Sequence, residues 1–248
     1  MNQSTASQTK LDVDPSIVEL RQYKLHPGKR DVLIDLFDRE FVETQEAVGM
    51  AVMGQFRDLD DPNRFVWLRG FKDMSARASG LTAFYGGPAW QAHRDAANTT
   101  MMDSDNVLLL HPAWPGAEID FDIRRRVALN TADSSSVLDA TIFYLKEPAS
   151  PELLKFCRKQ AQAILIEAGA KQVAWYVTET SPNNFPKLPV REGETVLVGL
   201  TLFNDVASFE KFARDGRWDR EVSPTLSKWL AREPEARRLS PTSRSAIR

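Results

Sequence analysis

The chain has 248 residues, 42% of them apolar and 27% charged, which is ordinary for a folded protein and excludes disorder over its whole length. Its 32 lysines and arginines nearly balance 34 aspartates and glutamates, so the formal charge of −2 offers no strong field to attract nucleic acid or an anionic membrane. A single cysteine excludes an internal disulfide framework.

The first half of the chain has the element order β-α-β-β-α-β. Strands, marked by alternating or short continuous apolar runs, are predicted at residues 16–25, 50–59, 64–71 and 106–110. A helix is predicted at residues 28–49, where Leu33, Phe37 and Phe41 share one face. A second helical region is predicted at residues 73–102, with a break at 86–88.

The same order returns after a segment rich in proline, glycine and serine. Strands are predicted at residues 137–146, 171–180, 195–203 and 238–241, and helices at residues 151–169 and 205–230. The predicted organisation is a flexible N-terminus (1–15), a first unit (16–112), a connector (113–136) and a second unit (137–248).

Local signals also correspond between the halves. The strand-to-helix junction Phe71–Met74 matches Phe203–Val206, and Trp90 matches Trp218 inside a broken second helix. This repetition predicts a tandem duplication of one ferredoxin-like unit, a four-stranded antiparallel sheet with two helices on one face. Because the central strands are apolar on both faces, the two sheets are expected to pack together. The predicted fold is α+β: two tandem ferredoxin-like units packed as a dimeric α+β barrel within one chain.

Three segments of the first half, residues 17–41, 49–74 and 84–110, resemble the NIPSNAP family. The second half resembles the more divergent second repeat of its bacterial two-repeat members. The resemblance implies a dimeric α+β barrel of the ferredoxin-like type, and it implies less about chemistry. Barrels of this superfamily include cofactor-free quinone-forming monooxygenases, small-ring isomerases and cyclases, and haem-binding enzymes, so any activity carried across rests on fold analogy.

The densest polar cluster lies in residues 90–98, and His93 within it is the only histidine inside a predicted regular element. Histidine titrates near neutral pH, so His93 is the candidate general acid or base. Arg21 or Asn98 is the candidate for stabilising a developing enolate oxygen. The alternative is a structural His93, whose hydrogen bonds fix the helix break.

The first strand places Glu19, Arg21 and Tyr23 on one face. If this face lines a cleft, Arg21 and Tyr23 can hold an anionic or carbonyl oxygen. If it lies at the rim, Glu19 and Arg21 form a cross-strand ion pair worth less than ~1 kcal/mol. Aromatic residues are predicted either to line the site of a planar ligand or to be core residues, the commoner use. The candidate ligand-binding residues are Tyr23, Trp67, Tyr85 and Trp90.

Several kinds of site have no matching motif. No paired-histidine, Cys-x-x-Cys or EF-hand spacing exists, so neither a metal nor a tightly bound cofactor is predicted. Cys157 falls on the inward face of its predicted helix and is expected to be a buried core thiol. The run Arg124–Arg126 is too short to predict a nucleic-acid site, and it is expected to be solvated or ion-paired.

Two functions of different class remain open. One is an enzyme-like pocket that oxygenates, isomerises or cyclises a small aromatic or polyketide-like molecule; the other is a non-catalytic binding protein or oligomeric scaffold. The expected partner is a small-molecule ligand, and binding to nucleic acid or to a membrane is not expected. A homodimer or higher homo-oligomer is compatible with the fold. Because the first 15 residues lack an apolar signal-peptide core, a cytoplasmic location is expected.

Overall fold

The computed structural model of the protein describes residues 14–129 and 132–248. Eight antiparallel strands close into a barrel whose outer face is covered by helices, an α+β arrangement that fits the dimeric α+β barrel type. Most of the predicted flexible N-terminus, residues 1–13, lies outside the described residues. No helix within the described ranges is long and apolar enough to cross a bilayer.

The first half follows the predicted element order. Its strands are β1 (Ile17–Leu25), β2 (Ala51–Asp58), β3 (Arg64–Phe71), a short β4 (Met101–Asp103) and β5 (Val107–Pro112). Its helices are α1 (Arg30–Leu36), α2 (Val42–Glu46), α3 (Met74–Gly86) and α4 (Pro88–Asn98), and a π-helical turn, Phe37–Phe41, joins α1 to α2. The predicted break at 86–88 is confirmed, because Gly87 is extended and Pro88 opens α4. Met101 and Met102, predicted to be helical, form β4 beside the end of β1.

The second half repeats this order. Its strands are β6 (Val137–Tyr144), β7 (Gln172–Thr178), β8 (Val196–Phe203) and β9 (Glu235–Pro241). Its helices are α5 (Pro151–Phe156), α6 (Gln162–Glu167), α7 (Val206–Asp215), α8 (Arg217–Glu221) and α9 (Ser223–Leu226). A π-helical turn, Cys157–Ala161, joins α5 to α6, just as Phe37–Phe41 joins α1 to α2. The last strand begins three residues before its predicted start at 238.

The four long strands of each half lie together in the barrel. The first half contributes the neighbours β5-β1-β3-β2, and the second contributes β9-β6-β8-β7. In both halves, therefore, the last strand lies beside the first. Antiparallel pairing of β2 with β9 and of β5 with β7 joins the halves and closes the barrel.

The closed sheet separates three apolar cores. Both halves fill the barrel interior, which holds Leu20, Leu68, Leu138 and Leu200 among other buried side chains. Each half also has an outer core between its strands and its own helices. Cys157 is buried in the second outer core, as predicted. Because side chains alternate across a strand, every second residue of β1 and β6 faces the outer cleft of its half.

Segments outside the predicted elements also close the barrel. Ile119 of the connector and Ile247 near the C-terminus are buried in its interior. The Ile247 N–H donates a hydrogen bond to the Met53 carbonyl at 3.0 Å. Arg126, predicted to be solvated or ion-paired, is almost fully buried and pairs with Glu46 at 2.6 Å. The connector is thus packed into the fold.

Candidate functional site

A cavity of about 620 Å³ lies in the outer cleft of the second half, between the sheet and helices α7–α9. Five aromatic side chains contribute to its walls, which suits a planar ring compound. The aromatic wall residues are Phe143, Trp175, Phe209, Phe212 and Trp218. The polar and charged side chains that line it are Asp139, Thr141, Thr201, Asp219, Ser223, Ser227, Arg232 and Glu233.

Gly199 shapes the floor of this cavity. It pairs with Trp175 across β8 and β7, and a Cβ atom at this position would come 3.2 Å from the Trp175 ring. The glycine therefore lets the indole lie over the backbone of β8. The Asp205 carboxylate caps the first turn of α7 by accepting from the Ser208 N–H at 2.7 Å. The ring of Phe203 at the end of β8 stacks on Phe212 of α7, with centroids 5.4 Å apart, which packs the helix against the sheet.

Asp139 is the carboxylate that faces the cavity from β6. Burial raises its pKa to about 7, because the charged form loses solvation, while the Thr141 hydroxyl at 3.5 Å offsets this only weakly. No lysine or arginine among the described residues forms an ion pair with Asp139. The side chain therefore exchanges a proton with its surroundings in the physiological pH range.

The strand register identifies the residue of the first half that corresponds to Asp139. The β1–β3 and β6–β8 pairings each run over eight positions, starting at the first residue of β1 and of β6. The third positions of the two strands are Glu19 and Asp139. By the same count Arg21, Arg69 and Trp67 correspond to Thr141, Thr201 and Gly199.

The first half fills its version of this site with arginines. Glu19 accepts hydrogen bonds from Arg21 at 2.8 Å, from Arg69 at 2.6 Å and from Arg77 of α3 at 2.8 Å. Burial alone would raise the pKa of Glu19, but the three guanidinium groups together hold it well below its usual range. Trp67 lies beside Arg69, whose guanidinium carbon is 5.0 Å from the indole centroid.

The second half replaces each of these large side chains with a small one. Two threonines and a glycine stand where the first half has two arginines and a tryptophan. The loss of that volume accounts for the open cavity. The loss of the guanidinium groups accounts for the opposite pKa shifts of the two carboxylates.

The NIPSNAP family model matches residues 18–114, which cover β1 to β5. Residues 18–114 form a NIPSNAP domain. No curated protein matches the chain. The NIPSNAP domain contains the arginine-filled site, and the aromatic cavity of the second half lies outside it.

Solved structures share the fold over nearly the whole chain. A candidate monooxygenase from Fusobacterium nucleatum is 12% identical, with a TM-score of 0.56 over 91% of this chain and 92% of that one. A candidate monooxygenase from Lactobacillus acidophilus is 10% identical, with a TM-score of 0.58 over 92% of this chain and 94% of that one. An anthrone oxidase-like protein is 12% identical, with a TM-score of 0.58 over 92% of both chains. At these identities the likeness establishes the fold.

The NIPSNAP domain brings several of the predicted ligand-binding residues together. Arg21 donates to the Tyr23 hydroxyl at 3.0 Å, and the Tyr23 and Trp67 rings meet edge to face at 6.0 Å. Tyr85 and Trp90 meet in the same way at 4.8 Å. Arg21, Tyr23 and Trp67 are buried, whereas Tyr85 and Trp90 are partly exposed. The charged face of β1 therefore belongs to a cleft covered by protein and not to a rim.

His93 and Asn98 lie on α4 of the NIPSNAP domain, away from the arginine cluster's hydrogen bonds. His93 is one third exposed, and its Nε2 is 3.3 Å from a Glu40 carboxylate oxygen. Asn98 is exposed at the end of α4. Neither lines the second-half cavity. The catalytic roles assigned to His93, Arg21 and Asn98 stay predictions.

Asp139 was not among the predicted site residues, although the sequence carries a signal for it. Asp139 is the one charged residue in the run Val137–Tyr144, and it occupies the same place in β6 as Glu19 in β1. An alignment of the two halves by strand position would have found it. No group of three His, Cys, Asp or Glu side chains within residues 14–129 and 132–248 is placed to hold a metal ion.

Proposed function

We propose that the second-half cavity is the active site of an enzyme that removes a proton from a small planar aromatic molecule, with Asp139 as the general base. The observation that supports this proposal is that Asp139, without a cationic partner among the described residues, faces a cavity lined by five aromatic side chains. A carboxyl group with a pKa of about 7 can both accept and release a proton near neutral pH. Strongly perturbed carboxyl groups in clefts are typical of catalytic sites.

The charges around the cavity favour a neutral substrate. Asp219 and Glu233 line it beside Asp139, against one arginine, Arg232. Arg232 already contacts Glu194 at 3.2 Å. An anionic ligand would meet this surplus of negative charge, whereas a neutral ring compound with an acidic C–H or O–H group would not.

Oxygenation is the reaction class that we extend to this chain from its structural neighbours. Asp139 takes a proton from a ring CH₂ group that lies next to a carbonyl-bearing aromatic system. The resulting carbanion, delocalised onto the carbonyl oxygen, forms a C–O bond with O₂, and protonation of the outer oxygen gives a hydroperoxide. Loss of the second C–H proton and cleavage of the O–O bond then form the C=O group and release water. The balance is R₂CH₂ + O₂ → R₂C=O + H₂O, in which the CH₂ carbon is oxidised and O₂ is reduced.

We also propose that the two halves are duplicated ferredoxin-like units, and that the second unit kept an open site. Equal strand order, equal β1–β3 and β6–β8 registers and π-helical turns at matching positions support a common origin. In this description the NIPSNAP domain uses its carboxylate to hold arginines, and the second unit uses its carboxylate for chemistry.

Anthrone is the probe for the test, because it is planar, neutral and has an acidic CH₂ group beside an aromatic ketone. The protein is expected to consume one O₂ per anthrone oxidised. Asp139→Asn, which keeps the shape of the side chain, should lower kcat/KM by about 100-fold or more. Asp95→Asn, at an exposed carboxylate of α4, is the matched control and should leave the rate unchanged.

Other outcomes would contradict the proposal. Full activity in Asp139→Asn, or loss of activity in His93→Ala instead, would remove Asp139 from the role of base. Tight binding of anthrone by the wild-type protein without O₂ consumption would favour the non-catalytic binding protein. Melting temperatures measured in parallel separate loss of chemistry from loss of fold.

A further inference from the structure

Positive charge exceeds negative charge in the buried cleft of the NIPSNAP domain. Arg21, Arg69 and Arg77 share a single carboxylate, Glu19, and none of the four side chains is more than 1% exposed. Three guanidinium charges against one carboxylate leave two positive charges. The other described hydrogen-bond partners of these arginines are neutral: Tyr23, Gln45, Asn183 and Asn184. A buried excess of charge of one sign is energetically costly unless a counter-charge pairs with it.

Two buried donors of this cluster have no acceptor. The Nη2 atom of Arg77 and the Nε1 atom of Trp67 are buried without a hydrogen-bond partner among the described residues. Buried donors in folded proteins are nearly always satisfied by protein, water or ligand. Unused donors and surplus positive charge both point to the same complement, a group with negatively charged oxygen atoms.

A loop from the second half covers this cleft. The β7–β8 loop, residues 179–195, places two amide oxygens on Arg77, from Asn183 at 3.0 Å and from Asn184 at 2.8 Å. The next residue, Phe185, stacks on Tyr85 of α3 with ring centroids 5.9 Å apart and planes at 28°. Both amide oxygens accept from Nη1 of Arg77, and Phe185 follows them in the loop, so the loop supplies acceptor oxygens and an aromatic ring, the two parts of an aromatic acid, without its charge.

From this arrangement we infer that the arginine cluster of the NIPSNAP domain is a second ligand site, for an aromatic carboxylate, and that the β7–β8 loop occupies it when no ligand is bound. The ligand's carboxylate replaces the oxygens of Asn183 and Asn184 on Arg77 and supplies the counter-charge. Its ring replaces that of Phe185 on Tyr85. The site is independent of the proposed reaction at Asp139, because the two clefts lie on different halves of the sheet.

Titration calorimetry of the full chain with benzoate tests this site, with benzamide as the neutral counterpart at equal ionic strength. Benzoate is expected to bind and benzamide is not. Phe185→Ala removes the ring that competes for Tyr85, so benzoate should bind about tenfold more tightly, since less free energy is needed to open the loop. Ile166→Ala, at an exposed side chain of α6 outside both clefts, is the control and should leave benzoate affinity unchanged.

Asn184→Asp gives the opposite expectation and does not depend on removing a buried arginine. The new carboxylate satisfies part of the surplus charge from within the loop, so the melting temperature should rise and benzoate binding should be lost. Equal affinity for benzoate and benzamide, or unchanged benzoate affinity in both Phe185→Ala and Asn184→Asp, would overturn the inference. If inorganic phosphate bound as tightly as benzoate, the inference that the ligand is aromatic would be wrong.

Discussion

Glu19 and Asp139 occupy the same position in the two halves of the barrel, third in β1 and third in β6, yet their carboxyl groups have opposite surroundings. Three arginines surround Glu19 and hold its pKa well below the usual range. Asp139 has no such partner among the described residues, and burial raises its pKa to about 7. One backbone geometry thus holds a carboxylate among arginines in one half and a carboxyl group with a raised pKa in the other.

Replacing Glu19 with glutamine should destabilise the protein severely. The change leaves three buried guanidinium groups without any carboxylate, and removal of one partner of a buried pair costs about 3–5 kcal/mol. Urea unfolding measures the loss. Glu221→Gln, which breaks the exposed pair with Arg217, is the control and should cost less than about 1 kcal/mol. Equal losses of unfolding free energy in the two variants would show that the buried cluster contributes no more to stability than the exposed pair.

Asp139 should make the protein less stable as pH rises from about 4 to 7. In this range the folded state, with a pKa of about 7, keeps a proton that the unfolded state, with a pKa near 3.8, has lost. Above pH 7 the cost of the buried charge is complete, on the order of 4 kcal/mol. Asp139→Asn should therefore stabilise the protein at pH 8 and have little effect at pH 4. Urea unfolding at both values checks this, and a stability difference that does not change with pH would contradict it.

The barrel followed from the sequence because its signals are local and repeated. Apolar alternation marked β1 and β6, Pro88 marked the start of α4, and the aspartates at 73 and 205 marked the starts of the helices after β3 and β8. Each depends on a few neighbouring residues, so one sequence is enough to recognise it.

The site was harder to predict because it depends on contacts between distant segments. The NIPSNAP domain held the richer set of polar and aromatic residues, and His93 stood out by residue type alone. The large polar and aromatic side chains of the NIPSNAP domain fill its own cleft. The open cavity lies in the second half, where Thr141, Thr201 and Gly199 are small. Small side chains that leave space for a cavity form no recognisable motif in a sequence. The contact between Asn183 and Arg77 also has no local signal, because the two residues are 106 positions apart.

Adding a methyl group at Gly199 should disturb the proposed active site. The new Cβ atom would lie 3.2 Å from the Trp175 ring, so the indole in the cavity wall must move by a few tenths of an ångström. Gly199→Ala is expected to weaken anthrone binding about tenfold, measured by quenching of tryptophan fluorescence. Gly86→Ala, where a Cβ atom meets nothing within 4 Å, is the matched control. Unchanged affinity in Gly199→Ala would place the ligand elsewhere.

Truncating Ile247 should show that the C-terminal segment closes the barrel. Its side chain is fully buried in the interior core, and its N–H bonds to the Met53 carbonyl, so Ile247→Ala leaves a cavity that the fixed strand ends cannot refill. The expected loss of unfolding free energy is about 2–4 kcal/mol. Ile166→Ala, at a side chain that is 54% exposed on α6, should cost less than about 1 kcal/mol. If urea unfolding gives equal values for the two variants, the barrel does not need residues 242–248 for its stability.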